Sequence, residues 1–161
     1  MASARSRLRA PRGVRAEVDG FTLVELLVVI LIIGILAAIA IPSFLSQKSK
    51  ATDSSAKELA RTAQTTAETY ATDHNGSYEG IEPKVLKEYE PSIQTAAGNN
   101  NAYLSAAKAI ESGAGFEVTA TSATAGHTFT IVKKGSGTVE RKCTPEGKTG
   151  SEGGGCQNSS W

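Results

Sequence analysis

Residues 21–41 read FTLVELLVVILIIGILAAIAI, and one ionisable side chain, Glu25, interrupts the apolar run. As a helix rising ~1.5 Å per residue the run is about 31 Å long, a match for a hydrocarbon layer about 30 Å thick. A carboxylate at bilayer depth costs roughly 2.5–3.5 kcal/mol on insertion scales. A chain that keeps one there is expected to supply a partner for it.

The flanking charges set an orientation. Arg5, Arg7, Arg9, Arg12 and Arg15 precede the run against Glu17 and Asp19, a local charge of +3 in a chain of net +1, which leaves −2 for the rest. Arginines on that side predict a single-pass segment with a cytoplasmic N-terminus and an exported remainder. An exported remainder permits a disulfide. At 161 residues and 40% hydrophobic the chain has room for one domain plus appendages, and its large apolar side chains thin out after Tyr70.

Three general readings fit the apolar run. A plain single-pass anchor accounts for the length and the arginines but leaves Glu25 unexplained. A cleaved secretory signal could use Ala38-Ile39-Ala40 as its small-x-small site, yet such apolar regions usually span about 7–15 residues. A buried helix of a soluble protein needs surrounding protein on every face, which only neighbouring copies could provide.

A fourth reading is more specific. Gly20 followed by Phe21-Thr22-Leu23-Val24-Glu25, then the long apolar helix, all behind a short basic leader, resembles the class III signal of type IV prepilins and pseudopilins. The resemblance covers residues 20 to about 50, including Gly34 and Ile41-Pro42-Ser43-Phe44. It implies cleavage after Gly20 by a membrane-embedded prepilin peptidase, which also methylates the new amino terminus of Phe21. It further implies that Glu25 meets that amine, its own or a neighbour's, in an apolar setting. An α-amino group has an unperturbed pKa of about 7.7–8.0 and is cationic near neutrality. By the same resemblance the stretch between Gly34 and Pro42 is a point of helix flexibility, and the implied partners are copies of itself or other pilins, the peptidase, an assembly platform and, before assembly, the membrane.

The expected organisation is a leader over 1–20, an apolar helix over 21–42, an amphipathic continuation over 43–74 and a head over 75–161. The fold class is α+β and type IV pilin-like, a long N-terminal helix packed on a small antiparallel sheet. Apolar or small residues at three- and four-residue spacing carry the helix to about Asp73, with Lys48, Lys50, Asp53, Lys57, Arg61 and Glu68 on its polar face. His74-Asn75-Gly76-Ser77 is a stop signal. A short helix fits Pro83 to Tyr89, Ala102 to Glu111 reads as either helix or bent strand, and strands are expected at Phe116–Thr121, Thr128–Val132 and Thr138–Lys142. Gly135-Ser136-Gly137 supplies the last hairpin turn.

The two cysteines, Cys143 and Cys156, have no histidine or further cysteine near them, so a zinc site would lack ligands. A disulfide is the better reading, and a loop of this size contributes about 3 kcal/mol under the chain-entropy model. Trp161 is expected to plug the core.

No nucleophile, acid–base pair, metal set or phosphate loop stands out, so neither an enzyme nor a cofactor is expected. His74 and His127 read as surface histidines. Lys133, Lys134, Arg141, Lys142 and Lys148 make the last hairpin basic; a solvated strand face is the simple reading, and contact with DNA or another polyanion the functional one. Three function classes follow. The first is a subunit of a type IV pilus-like filament serving adhesion, motility or DNA uptake, first in the cytoplasmic membrane and then in an extracellular or envelope-spanning filament. The second is a pseudopilin of a type II secretion-like piston, and the third a membrane-anchored binding domain that never polymerises.

Overall fold

The computed structural model describes residues 20–98, 101–123, 127–144, 156 and 159–161. The leader as far as Asp19, Lys148 and the Gly153-Gly154-Gly155 run lie outside them. The first element, α1 (Leu23–Asp73), contains the boundary between two compact units, which meet at Ile39 and Ala40. In the first unit the large apolar side chains from Leu23 to Ile39 are exposed on every face of the helix.

The second unit is an α+β head. Its part of α1 buries Ala56, Ala60, Ala63, Ala67 and Ala71, with Tyr70, along one narrow stripe. Alternating steps of four and three residues keep that stripe on one face. Alanine leaves room for the large residues of a sheet, and the core is completed by Phe116, Phe129, Ile131, Val118 and Leu104. The helix stops where the Asn-Gly signal predicts: Asn75 takes φ 55° and Gly76 φ 83°. The Gly76 N–H donates to Ala71 O at 2.7 Å, the six-to-one bond of a Schellman stop. His74 Nδ1–H donates to Tyr70 O at 2.8 Å, satisfying one of the last free carbonyls.

Next comes α2 (Pro83–Tyr89), with proline in its first turn and Leu86 buried. The sheet follows as a four-stranded antiparallel meander, β1 (Tyr103–Ile110), β2 (Gly115–Thr121), β3 (Thr128–Lys133) and β4 (Val139–Thr144), in spatial order β1-β2-β3-β4. The undecided segment from Ala102 is therefore a strand, and there are four strands where three were expected. A register shift between Leu104 and Ala106 explains why β1 was illegible. It puts Ser105 and Ala106 between the buried Leu104 and Ala107, which breaks the period of two.

Both outer strands give a backbone bond to irregular chain. On β1, the Leu104 N–H donates to Gln94 O at 2.7 Å; on β4, the Cys143 N–H donates to Ser159 O at 3.0 Å. The Cys143–Cys156 disulfide holds the latter segment against β4. Trp161 is only half-buried; its Nε1–H donates to Lys142 O at 3.0 Å and its ring meets Phe129 edge-on.

Candidate functional site

Helix α1 starts immediately after Thr22, and the residues of the proposed signal build that start. Thr22 N–H and Thr22 Oγ1–H both donate to Glu25 Oε2 at 3.0 Å, and the Glu25 N–H donates back to Thr22 Oγ1 at 3.2 Å. This is a capping box: the threonine covers a free amide of the first turn, and the glutamate three residues on reaches back to the cap. The T-x-x-E spacing was present in the sequence and is the signal that would have found it. The glutamate thus has a role inside one chain, set beside the intermolecular role implied by resemblance.

Two glycines of this region are free of any constraint from the fold. A Cβ placed on Gly20 or on Gly34 would meet nothing within 4 Å. No described residue therefore requires a small side chain at either position. Gly34 sits in a shallow apolar groove with Leu27, Ile30, Leu31, Ile35 and Ala38, residues that share one helix face. Pro42 lies inside α1, where its ring and missing N–H release the carbonyl of Ala38; Gly34 to Pro42 is helical throughout.

Lys133, Lys134, Arg141 and Lys142, the described basic residues of the last hairpin, do not form one free patch. Lys133 Nζ donates to Glu68 Oε1 at 2.7 Å, to Glu68 Oε2 at 2.8 Å and to Tyr78 OH at 2.7 Å. Burial works against the Lys133 ammonium, but its bonds to Glu68 and Tyr78 outweigh it and hold its pKa above the usual lysine value. Lys134 and Lys142 share Glu140, the latter at 3.3 Å. The bond from Lys134, then that from Lys142, holds the Glu140 carboxyl below the usual range. Arg141 lies over Trp161, and Lys148 falls outside the described residues.

His127 is not a surface histidine. It is 8% exposed and its Nδ1 lies 2.8 Å from Oδ2 of Asp53, itself 0% exposed although the sequence placed it on the polar face. A carboxylate can only accept, so Nδ1 carries the proton. Asp53 Oδ1 has no hydrogen-bond partner among the described residues. Asp53 stands three residues before Ala56, so the alanine stripe run backwards lands on it. Nothing local marks His127 as its partner, 74 residues away. Among the described residues there is no group of three or more histidine, cysteine or acidic side chains able to hold a metal.

The model of the prokaryotic N-terminal methylation motif matches residues 18–41. The chain is 34% identical over 85 residues to the type IV major pilin protein PilA of Myxococcus xanthus (strain DK1622), which covers 50% of this chain and 39% of that one. It is 35% identical over 92 residues to the fimbrial protein EcpC of Eikenella corrodens, covering 54% of this chain and 60% of that one. The chain therefore matches less than two thirds of either relative's length. No solved structure matches.

Proposed function

We propose that this chain, which carries the N-methylation motif of a prepilin class III signal, is the structural subunit of a type IV pilus-like filament. The observation that carries the reading is a coincidence: the motif, matched over residues 18–41, includes the first part of α1, where the large apolar side chains from Leu23 to Ile41 are exposed in the single chain. A helix apolar all round must be covered by lipid or by protein. A membrane can cover it first and copies of the same helix afterwards. The chain is then anchored by one span with a cytoplasmic N-terminus, cleaved after Gly20, N-methylated at Phe21 and passed to an assembly platform.

The capping box bears on what cleavage would create. It holds the Glu25 carboxylate against the Thr22 amide, one residue from the position where the new Phe21 amine would stand. Cleavage thus places a cation beside a carboxylate already fixed in position. In the apolar interior of a filament an unpaired member of that couple would be costly, so the couple sets register more than it adds strength. Gly20 is then selected by the peptidase and Gly34 by the approach of a neighbouring helix, since no described residue demands either.

The test is mass spectrometry of the mature N-terminus together with electron microscopy of sheared surface material. Methylated Phe21 and fibres are expected, with Glu25→Ala cleaved normally but yielding few fibres. An N-terminus other than Phe21 would exclude the prepilin route. Correct processing without fibres would move the assignment to a piston subunit.

A further inference from the structure

Asn75-Gly76-Ser77, where α1 ends, has the spacing of an N-glycosylation acceptor, an asparagine followed two residues later by a hydroxyl. Asn75 is exposed in the turn after the helix, in the left-handed region at φ 55°. Its side-chain amide has no hydrogen-bond partner among the described residues. Two reactions are open to such an amide. In the first, the nitrogen of the following glycine attacks the asparagine Cγ, ammonia leaves, and hydrolysis of the ring gives aspartate or isoaspartate. Here the helix stop donates the Gly76 N–H to Ala71 O at 2.7 Å, which holds that nitrogen out of the attack. In the second, the amide nitrogen is itself the nucleophile, and it is the exposed one. Ser77 Oγ accepts the Glu79 N–H at 3.2 Å, so the hydroxyl proton is left to be donated to an enzyme. Described residues bound this end of the head: the pairs Ile110–Gly115 and Lys133–Val139 close the strands here, and the Tyr78 N–H donates to Gly113 O at 2.9 Å. The stretches of the head outside the described residues leave and rejoin it at the other end, where Tyr103, Thr121, Thr128 and Thr144 align and Cys143 bonds to Cys156. Asp53 meets His127 at that end, and from Asp53 to Asp73 the helix runs about 30 Å.

We propose that Asn75 is an acceptor for N-linked glycosylation on the exported side of the membrane, taking its sugar from a polyprenyl pyrophosphate carrier. The Asn75 Nδ2 forms a bond to the anomeric carbon of the sugar, and the bond from that carbon to the pyrophosphate oxygen breaks. The electron pair of the broken bond leaves with the lipid pyrophosphate, and one amide proton passes to a base of the transferase. The Ser77 hydroxyl is the second group the enzyme reads, and Asp73, exposed two residues ahead of the acceptor, gives the recognised stretch a negative charge. The other tripeptide of this spacing, Asn158-Ser159-Ser160, is placed differently. Ser159 O accepts the Cys143 N–H at 3.0 Å, which ties that segment to β4, and Asn158 lies outside the described residues. A sugar on Asn75 covers the turn beyond α1 with a bulky hydrophilic group. The inference rests on export of the head and not on polymerisation of the chain.

The experiment uses the chain purified from the envelope of the cells that make it, with its peptides read by electron-transfer fragmentation, which keeps a sugar on its own residue. A glycan on Asn75 is expected, lost in Asn75→Gln and in Ser77→Ala and kept in Ser77→Thr, which retains the hydroxyl. Four results would each overturn the proposal: a bare Asn75, Asn75 converted to aspartate without sugar, sugar on Asn158 or on hydroxyl side chains alone, or a glycan that survives Ser77→Ala. The wild-type chain alone decides the first three, so folding of the variants does not enter. The same spectra report the N-terminus. Methylated Phe21 with a bare Asn75 sinks this inference and leaves the filament reading standing, whereas a glycan on Asn75 behind a different N-terminus supports the inference and removes that reading.

Discussion

Gly34 and Gly115 lie in two regions that obey different rules. A Cβ on Gly115 would stand 2.3 Å from the carbonyl oxygen of Lys133, whereas one on Gly34 would touch nothing within 4 Å. The same contrast runs through the apolar residues: the alanines of the head stripe are buried, and the leucines and isoleucines of the N-terminal unit are exposed. In the head, residue choices are answered inside the chain. In the described part of the N-terminal unit the Thr22–Glu25 cap is answered within the chain, but Gly34 and the exposed leucines and isoleucines are not, so their explanation lies in whatever surrounds that helix.

The largest expected effect is in the head. His127→Ala would leave Asp53 buried without its hydrogen-bond donor, and loss of one member of such a pair costs about 3 kcal/mol or more. Denaturant unfolding of the full chain in detergent should show it; a change below about 1 kcal/mol would mean that water or a neighbour replaces the imidazole.

Second comes the glycine pair itself. Gly115→Ala must push backbone against backbone and should destabilise the head by about 2 kcal/mol. Gly34→Ala should leave head unfolding unchanged, since it touches nothing and helix propensity favours alanine by about 1 kcal/mol. Its effect should appear only in fibre yield. A shift of head unfolding by Gly34→Ala would break the contrast between the regions.

The smallest effect is an alkaline one. Burial, then the bond to Glu68, raises the Tyr78 phenol, and Lys133 is also raised. Folding therefore favours the protonated form of both groups. Their contribution is complete below the ordinary tyrosine and lysine values of about 10–10.4 and is lost as pH rises through the higher folded values. Unfolding measured from pH 8 to 11 should show stability falling above about pH 10, with a shallower fall in Lys133→Met. An unchanged slope in that variant would show that the Glu68–Lys133–Tyr78 cluster does not link the helix to the sheet.

What was legible in the sequence was what is contiguous. Gly20, Phe21, Glu25 and the apolar run lie side by side, and so do the residues of the helix stop, of α2 and of the last hairpin turn. The Thr22 cap was equally local. What was hidden depends on distant partners or broken periods. The bulge at Ser105 disguised β1. Asp53 and His127 look like ordinary surface residues until the sheet folds onto α1. Lys133 looked like part of a basic hairpin patch, but its register opposite Phe116 on β2 turns it toward Glu68, 65 residues earlier.

The backbone bonds at the two outer strands have a consequence for a protein read as a polymer subunit. An uncovered strand edge is a template on which any extended chain can lay another strand. Here Gln94 occupies one edge at Leu104, and Ser159, tethered through the disulfide, occupies the other at Cys143. Heads crowded together at high local concentration are thereby discouraged from fusing into continuous sheets. In the proposed filament, growth would be left to the helices, where contacts between side chains could be undone without unzipping a backbone ladder.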